Sequence, residues 1–251
     1  MSIDEGFLEA FLALHSDLPR EGPGGEAETR RALDLAAPPP AARIGDLGCG
    51  PGAATTVLLQ ALPQATVFAC DLHPPYVAEA RRRAEALGLA DRLDAQVADM
   101  AAPPLAPASL DLIWSEAAIY NLGVEAALAA WRPLLAPGGR VVFSEAVRLK
   151  TPMSPRAETL WSAEYPTMTD PAGVSAQIAA AGFEERRRFV LPPECWDGYY
   201  GPLEARADAL DAELGATEPG AAALAETREE IAVWRACRGE YGYAVFIAEP
   251  A

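Results

Sequence analysis

The sequence predicts an α/β protein, a doubly wound, mostly parallel sheet of seven strands, and two observations lead there. From about residue 41, short apolar runs of strand length alternate with segments of helical period, and five strands joined by helices imply parallel pairing with right-handed crossovers. The turn "IGDLGCGPG", residues 44–52, joins the first strand to the first of those helices and carries glycine at positions 48, 50 and 52.

Taken in order, an acidic amphipathic helix near 4–16 leads through "LPREGPGGEAE" into a second helix near 26–36, which Pro38, Pro39 and Pro40 stop. "ARIGDL" reads as a buried strand, "AATTVLLQAL" as a helix and "ATVFACDL" as the next strand. "PPYVAEARRRAEALGL" is a helix with proline in its first turn and glycine near its end. The strands "RLDAQVAD" and "LDLIWSE" follow, then the helix "VEAALAAWRPLL", closed by Pro137-Gly138-Gly139, and the strand "RVVFSEAV". Past residue 150 the spacing predicts helices near 156–164 and 171–181, the strand "EERRRFVL", helices near 202–214 and 220–237, and a final strand "YAVFIAE". Leu203, Ala207, Leu210 and Leu214 share one helical face, as do Leu224, Ile231 and Trp234, so the last two helices read as a packed pair. One domain over 1–251 is expected: a helical cover (1–40), a core (41–150) and a substrate-side region (151–251) with a helical insertion before the last strand.

The chain has 251 residues, of which 51% are apolar, enough for a sizeable core. Its apolar runs are short, and Asp4, Glu5, Asp17 and Glu21 stand where a signal peptide would be basic and then apolar. Four scattered cysteines without a C-x-x-C, and only His15 and His73, offer no familiar zinc spacing; free thiols in a reducing cytoplasm and no metal are expected. A formal charge of −16 argues against nucleic-acid and membrane partners, because polyanions are bound by basic surfaces that release counterions. The triplet Arg81, Arg82, Arg83 reads as a solvated helix face. Oligomeric state is left open, a homodimer included.

Glycines between a strand and a helix let a ligand press against bare backbone where the helix offers unpaired N–H groups. Nineteen residues after Gly52, the second strand ends in Asp71, placed to accept both hydrogen bonds of a ribose diol. Yet the pattern is not G-x-G-x-x-G, and Asp46 sets a negative charge where a pyrophosphate would lie. A ligand with a ribose, no phosphate and a positive charge suits the loop better, and S-adenosylmethionine (SAM) has an adenosine, a sulfonium and an ammonium.

Through "DLGCGPG", "ACDL", "VADM" and "LDLIWSEAAIYNLG", the sequence resembles the class I SAM-dependent methyltransferases. More narrowly, "EGPGG", "WSEAAIYNLG", "AEYPTM" and "EYGYAVF" resemble bacterial small-molecule methyltransferases of the UbiE-like type. The resemblance implies a Rossmann-like fold, SAM as cofactor and S-adenosylhomocysteine (SAH) as product. It also implies that Asp46, Gly48, Cys49, Gly50 and Gly52 hold the methionine part, Asp71 the ribose, Asp99 and Met100 the adenine, with Leu72 packed on the adenine face. Gly24, in the N-terminal glycine loop, belongs either to a flap over the cofactor or to a plain turn between helices. Cys49 is expected to pack and not to act as a nucleophile, since transfer from a sulfonium needs no covalent intermediate.

The acceptor should arrive at the carboxyl ends of strands four and five. Those ends supply Glu116 and Glu145; Tyr120 and Tyr165 complete the expected catalytic set, while Asn121, Trp161, Glu164, Trp196, Tyr199 and Tyr200 are expected to bind substrate, and Glu116 also to reach the cofactor's ammonium. Carboxylates and aromatic rings stabilise the positive charge that develops on an amine, so the expected reaction is N-methylation of a small metabolite. A carboxylate also favours the unreactive ammonium, so Glu116 or Glu145 would have to accept a proton as well. O- or C-methylation of a phenol or quinone-like ring, a non-catalytic SAM-binding protein and an NAD-dependent oxidoreductase are the alternatives.

Overall fold

Strand burial follows from helices on both sheet faces. In the computed structural model, which describes residues 5–251, β1 (Arg43–Leu47) and β2 (Thr66–Asp71) each bury a run of four residues, and β4 (Leu110–Ser115) buries five of its six. Alternate residues go to opposite layers: Leu112 and Trp114 join one core, Ile113 the other with Trp131. With β3 (Leu93–Val97), β5 (Leu135–Arg148), β6 (Phe183–Val190) and β7 (Tyr241–Pro250) they form a seven-stranded sheet of order 3-2-1-4-5-7-6. The first five strands pair in parallel, and β7 lies antiparallel between β5 and β6. Chain order therefore reverses between β1 and β4, and a crevice opens where their carboxyl ends part.

The crossover helices are α3 (Ala53–Ala61), α4 (Pro74–Ala86), α5 (Val124–Trp131) and α7 (Pro171–Ala180). The remaining helices are α1 (Glu5–Leu14), α2 (Glu26–Ala36), α6 (Pro155–Glu164), α8 (Glu194–Leu214) and α9 (Glu218–Ala236). Residue 4, the expected start of the first helix, lies outside the described residues. Helices α8 and α9 pack against each other through Leu203, Ala207, Leu224, Ile231 and Trp234, as their apolar faces imply, and α1 lies against both.

Four expectations are corrected. Helix α8 begins at Glu194, eight residues before the expected start, and runs through Pro202. Trp196, Tyr199, Leu203 and Ala207 fall on one face and are buried; at about 1.5–3 kcal/mol for each large side chain, their burial outweighs the roughly 3 kcal/mol that an interior proline costs. Helix α5 stops at Trp131, because Pro133 supplies no N–H and a short 3-10 turn takes over. Strand β5 starts at Leu135, through the glycine turn, and pairs Leu135 with Leu110 across a register shift. Of the arginine triplet, Arg82 is solvated, whereas Arg81 donates to the Ala95 carbonyl and Arg83 to the carbonyls of Leu18 and Pro19 at 2.8 and 2.6 Å. That last pair straps the N-terminal segment to α4.

Candidate functional site

The glycine turn after β1 sits at the crevice. Gly48 has φ +78°, and a Cβ there would fall 2.5 Å from the Ala118 Cβ, so backbone freedom and close packing both demand glycine. Its N–H and that of Cys49 both donate to the Cys70 carbonyl at 2.9 Å, locking the turn onto the end of β2. There Asp71 is held by both oxygens: Gly50 N–H donates to Oδ2 at 3.0 Å and His73 N–H to Oδ1 at 2.9 Å. Each oxygen keeps a lone pair toward the crevice, the arrangement a ribose diol requires. Buried Cys49 packs in the turn, its thiol pushed up by burial and by Asp46, so it is no thiolate.

Asp46 is fully buried behind the turn. Thr55 donates to its Oδ2 at 2.5 Å, while Oδ1 has no partner in the protein. Burial, aided by Glu116 and Asp71, raises the Asp46 carboxyl to about 7. A half-satisfied buried carboxylate on a cavity wall suits an ammonium and repels a phosphate, so the residues present fit the methionine end of SAM.

One cavity of about 420 Å³, sized for a small molecule, continues from this cradle. Gly48, Cys49, Gly50, Asp46, Asp71 and Glu116 form one end; Tyr120, Asn121, Trp161, Glu164, Tyr165, Trp196 and Tyr199 form the other. The structure thus brings together most of the expected residues; it displaces five, and three more, expected at the adenine, lie off the cavity wall. Gly24 lies behind the wall, its N–H directed at the Cys195 carbonyl 3.4 Å away, while Gly22 and Pro23 face the cavity. A Cβ on Gly22 would lie 2.5 Å from the Ala117 Cβ, which is why the loop can close onto the end of β4. Glu145 does not reach the wall, which its neighbour Ala146 forms; its Oε1 accepts from the Ala146 N–H at 2.9 Å. Burial raises Glu145 to about 8, which favours its protonated form, and its side chain bonds Tyr165 of the wall. Tyr200 turns away to donate to Glu230 at 2.7 Å. Gly52 is shut out by Ala80, whose Cβ would stand 2.7 Å from a Cβ at position 52.

The fifth displacement is one of role. Glu116 lines the cavity but is engaged by three donors: Arg20 at 2.7 Å, Thr29 at 2.6 Å and Trp114 at 3.0 Å. With both oxygens accepting, it clamps the N-terminal segment to β4 and is not a free acid or base. On the adenine side, Leu72 is 68% exposed, Asp99 accepts from the Ala101 N–H at 2.8 Å, and buried Met100 is fixed by Trp131 donating to its carbonyl at 2.7 Å. None of these three is in the cavity wall.

Sequence reading missed Phe11, His15, Glu21, Tyr76, Glu226 and Glu230, all in the wall. Glu226 and Glu230 carried a faint signal, being one helical turn apart on α9. Burial raises both, and Glu164 adds like-charge repulsion to each, so three carboxylates from α6 and α9 crowd the mouth. Altogether seven carboxylates line the cavity, against Arg20, already neutralised by Glu116, and His15. Such a lining gives the cavity a negative potential.

Residues 44–139 match a family described as methyltransferase domain. Over 122 residues the chain is 34% identical to the ubiquinone/menaquinone biosynthesis C-methyltransferase UbiE of Cereibacter sphaeroides, 48% of this chain and 49% of that one. Over 117 residues it is 39% identical to the demethylmenaquinone methyltransferase of Thermus thermophilus, 46% of this chain and 52% of that one. It thus spans about half the length of the curated relatives it matches. A SAM-dependent methyltransferase from Geobacter sulfurreducens, crystallised with SAH, shares the fold over 97% of this chain and 98% of its own, with a TM-score of 0.84 at 19% identity.

Proposed function

We propose that the chain is a class I SAM-dependent methyltransferase, which its match to a methyltransferase domain over residues 44–139 supports, and that it methylates a small molecule at the nitrogen of a cationic acceptor. The observation that carries the acceptor class is the mouth: Glu164, Glu226 and Glu230 stand among Trp161, Tyr165, Tyr199 and Tyr243. Carboxylates attract the ammonium, and each well-placed ring face is worth about 0.5–2 kcal/mol toward the cation.

When bound, SAM supplies an electrophilic methyl group. The chain's own residues do the rest. Asp46 would hold the ammonium, Asp71 the ribose, and Leu72, Asp99 and Met100 the adenine. Glu116 and Arg20 close the N-terminal segment over the cavity, excluding water and fixing the two reactants. Tyr120 and Tyr165, 6.0 Å apart between ring centroids, stand at the acceptor end, with Asn121 and Trp161 beside them.

A second reading, transfer to carbon or oxygen of a quinol-like ring, is favoured by the names of the curated relatives. Incubation with isotope-labelled SAM and separate amine and hydroquinone panels decides between them: label confined to amines supports the nitrogen acceptor, and label confined to hydroquinones overturns it.

A further inference from the structure

The acceptor must lose a proton, whether from nitrogen or from a ring hydroxyl, and neither expected base is placed to take it: Glu116 is held by three donors, the Arg20 cation among them, and Glu145 does not line the wall. The wall tyrosines are pushed up by burial and are not bases at neutral pH. One side chain in the wall differs. His15, at the end of α1, is buried, stacks on Phe11 at 4.2 Å and bonds Glu21 Oε2 through Nδ1 at 2.9 Å. Tyr76 of α4 fixes the same turn by donating to the His15 carbonyl at 3.2 Å.

This geometry leaves Nε2 for whatever occupies the cavity, since among the described residues no group bonds it. Position supports the role as strongly as chemistry. Glu21 abuts the glycine turn, its Cγ 3.7 Å from where a Gly50 Cβ would be, while the imidazole faces Tyr199 of α8 at 6.4 Å and Glu230 of α9. The pair therefore spans the boundary between cradle and mouth, where the reacting atoms must meet.

We propose that His15 Nε2 accepts the proton that leaves the methyl acceptor, with Glu21 as the positioning residue that keeps the ring's other proton on Nδ1. The proposal rests on the methyltransferase reading but holds for either acceptor class. For an ammonium acceptor, the proton passes to Nε2 and the freed lone pair forms the N–C bond as the C–S bond breaks, its electron pair staying on sulfur. His15 then returns the proton to water. Imidazole, which changes charge near physiological pH, is the side chain suited to this exchange, and a carboxylate on its far nitrogen selects the required tautomer.

With two histidines in the chain, a long-range ¹H–¹⁵N spectrum of the SAH-bound protein, assigned with a His73→Asn variant, reads the tautomer directly. The expected result is a proton on Nδ1 and a bare Nε2, reverting to the Nε2–H form in Glu21→Ala. Turnover of the panel class that is methylated, with benzylamine and 1,4-naphthohydroquinone as probes, should fall about 10²- to 10⁴-fold in His15→Gln while SAH affinity stays within threefold. Free imidazole should restore part of that loss in His15→Ala, and the acid limb of the rate–pH profile, which reports the essential base, should change. A protonated Nε2 in the wild-type chain, or unaltered turnover in His15→Gln, overturns the proposal. A bare Nε2 with no amine methylated supports the pair and removes only the nitrogen-acceptor reading.

Discussion

The two ends of the cavity are built in opposite ways. The cofactor end comes from contiguous chain, with a glycine turn, the strand end one crossover later and backbone N–H groups holding Asp71 on both oxygens. The acceptor end is assembled by side chains from α1, α6, α8, α9 and β7, the first and last of them far apart in the chain. Local geometry defines the first, tertiary packing the second. A fold that keeps the cradle and exchanges helices around the mouth retains its cofactor while changing its acceptor.

Breaking the cradle should have the largest effect. Gly48→Val places a branched side chain at φ +78° against Ala118, and cofactor affinity by calorimetry with SAH should drop at least about 100-fold, the sum of strain and clash. Asp71→Ala should follow, losing about 1–3 kcal/mol of SAH binding with the acceptor KM unchanged. If it altered acceptor KM instead, the two ends would not be separable. The converse variant, Glu230→Gln, should raise the KM of a cationic acceptor about three- to fivefold and leave SAH affinity alone; the effect is modest because Glu164 and Glu226 remain in the wall.

Protonation of Asp46 gives the smallest and most graded test. Its carboxyl is raised in the folded state, so the unliganded protein loses stability as pH rises from about 4 through about 7, where only the unfolded chain has released the proton. A bound ammonium favours the ionised form, so SAH affinity should weaken as pH falls below about 7, by at most tenfold per unit. Asp46→Asn should abolish that slope; a slope that survives would place the titration elsewhere.

This contrast also decides what the sequence could reveal. "IGDLGCGPG" and Asp71 are legible because short-range constraints, tight turns and strand ends, write them into adjacent residues. His15 and Glu21 carry no such mark. Their pairing depends on α1 folding back over the crevice, held by Arg83 on the Leu18 and Pro19 carbonyls and by Arg20 on Glu116. Glu116 was legible as a strand-end acid, but its partners Thr29 and Arg20 lie 87 and 96 residues away, so its role as a clamp was not. In α8, the sequence places the helix start near 202, and the burial of Trp196, Tyr199 and Leu203 carries it back to Glu194.

The claim beneath all of this is that a turn free of side chains, backed by buried acids, takes a phosphate-free cationic nucleoside. Calorimetric titration of the purified chain with SAM, SAH and NAD tests it most directly. Saturable heat with SAM and SAH and none with NAD is the predicted result; heat with NAD alone, or with none of the three, contradicts it.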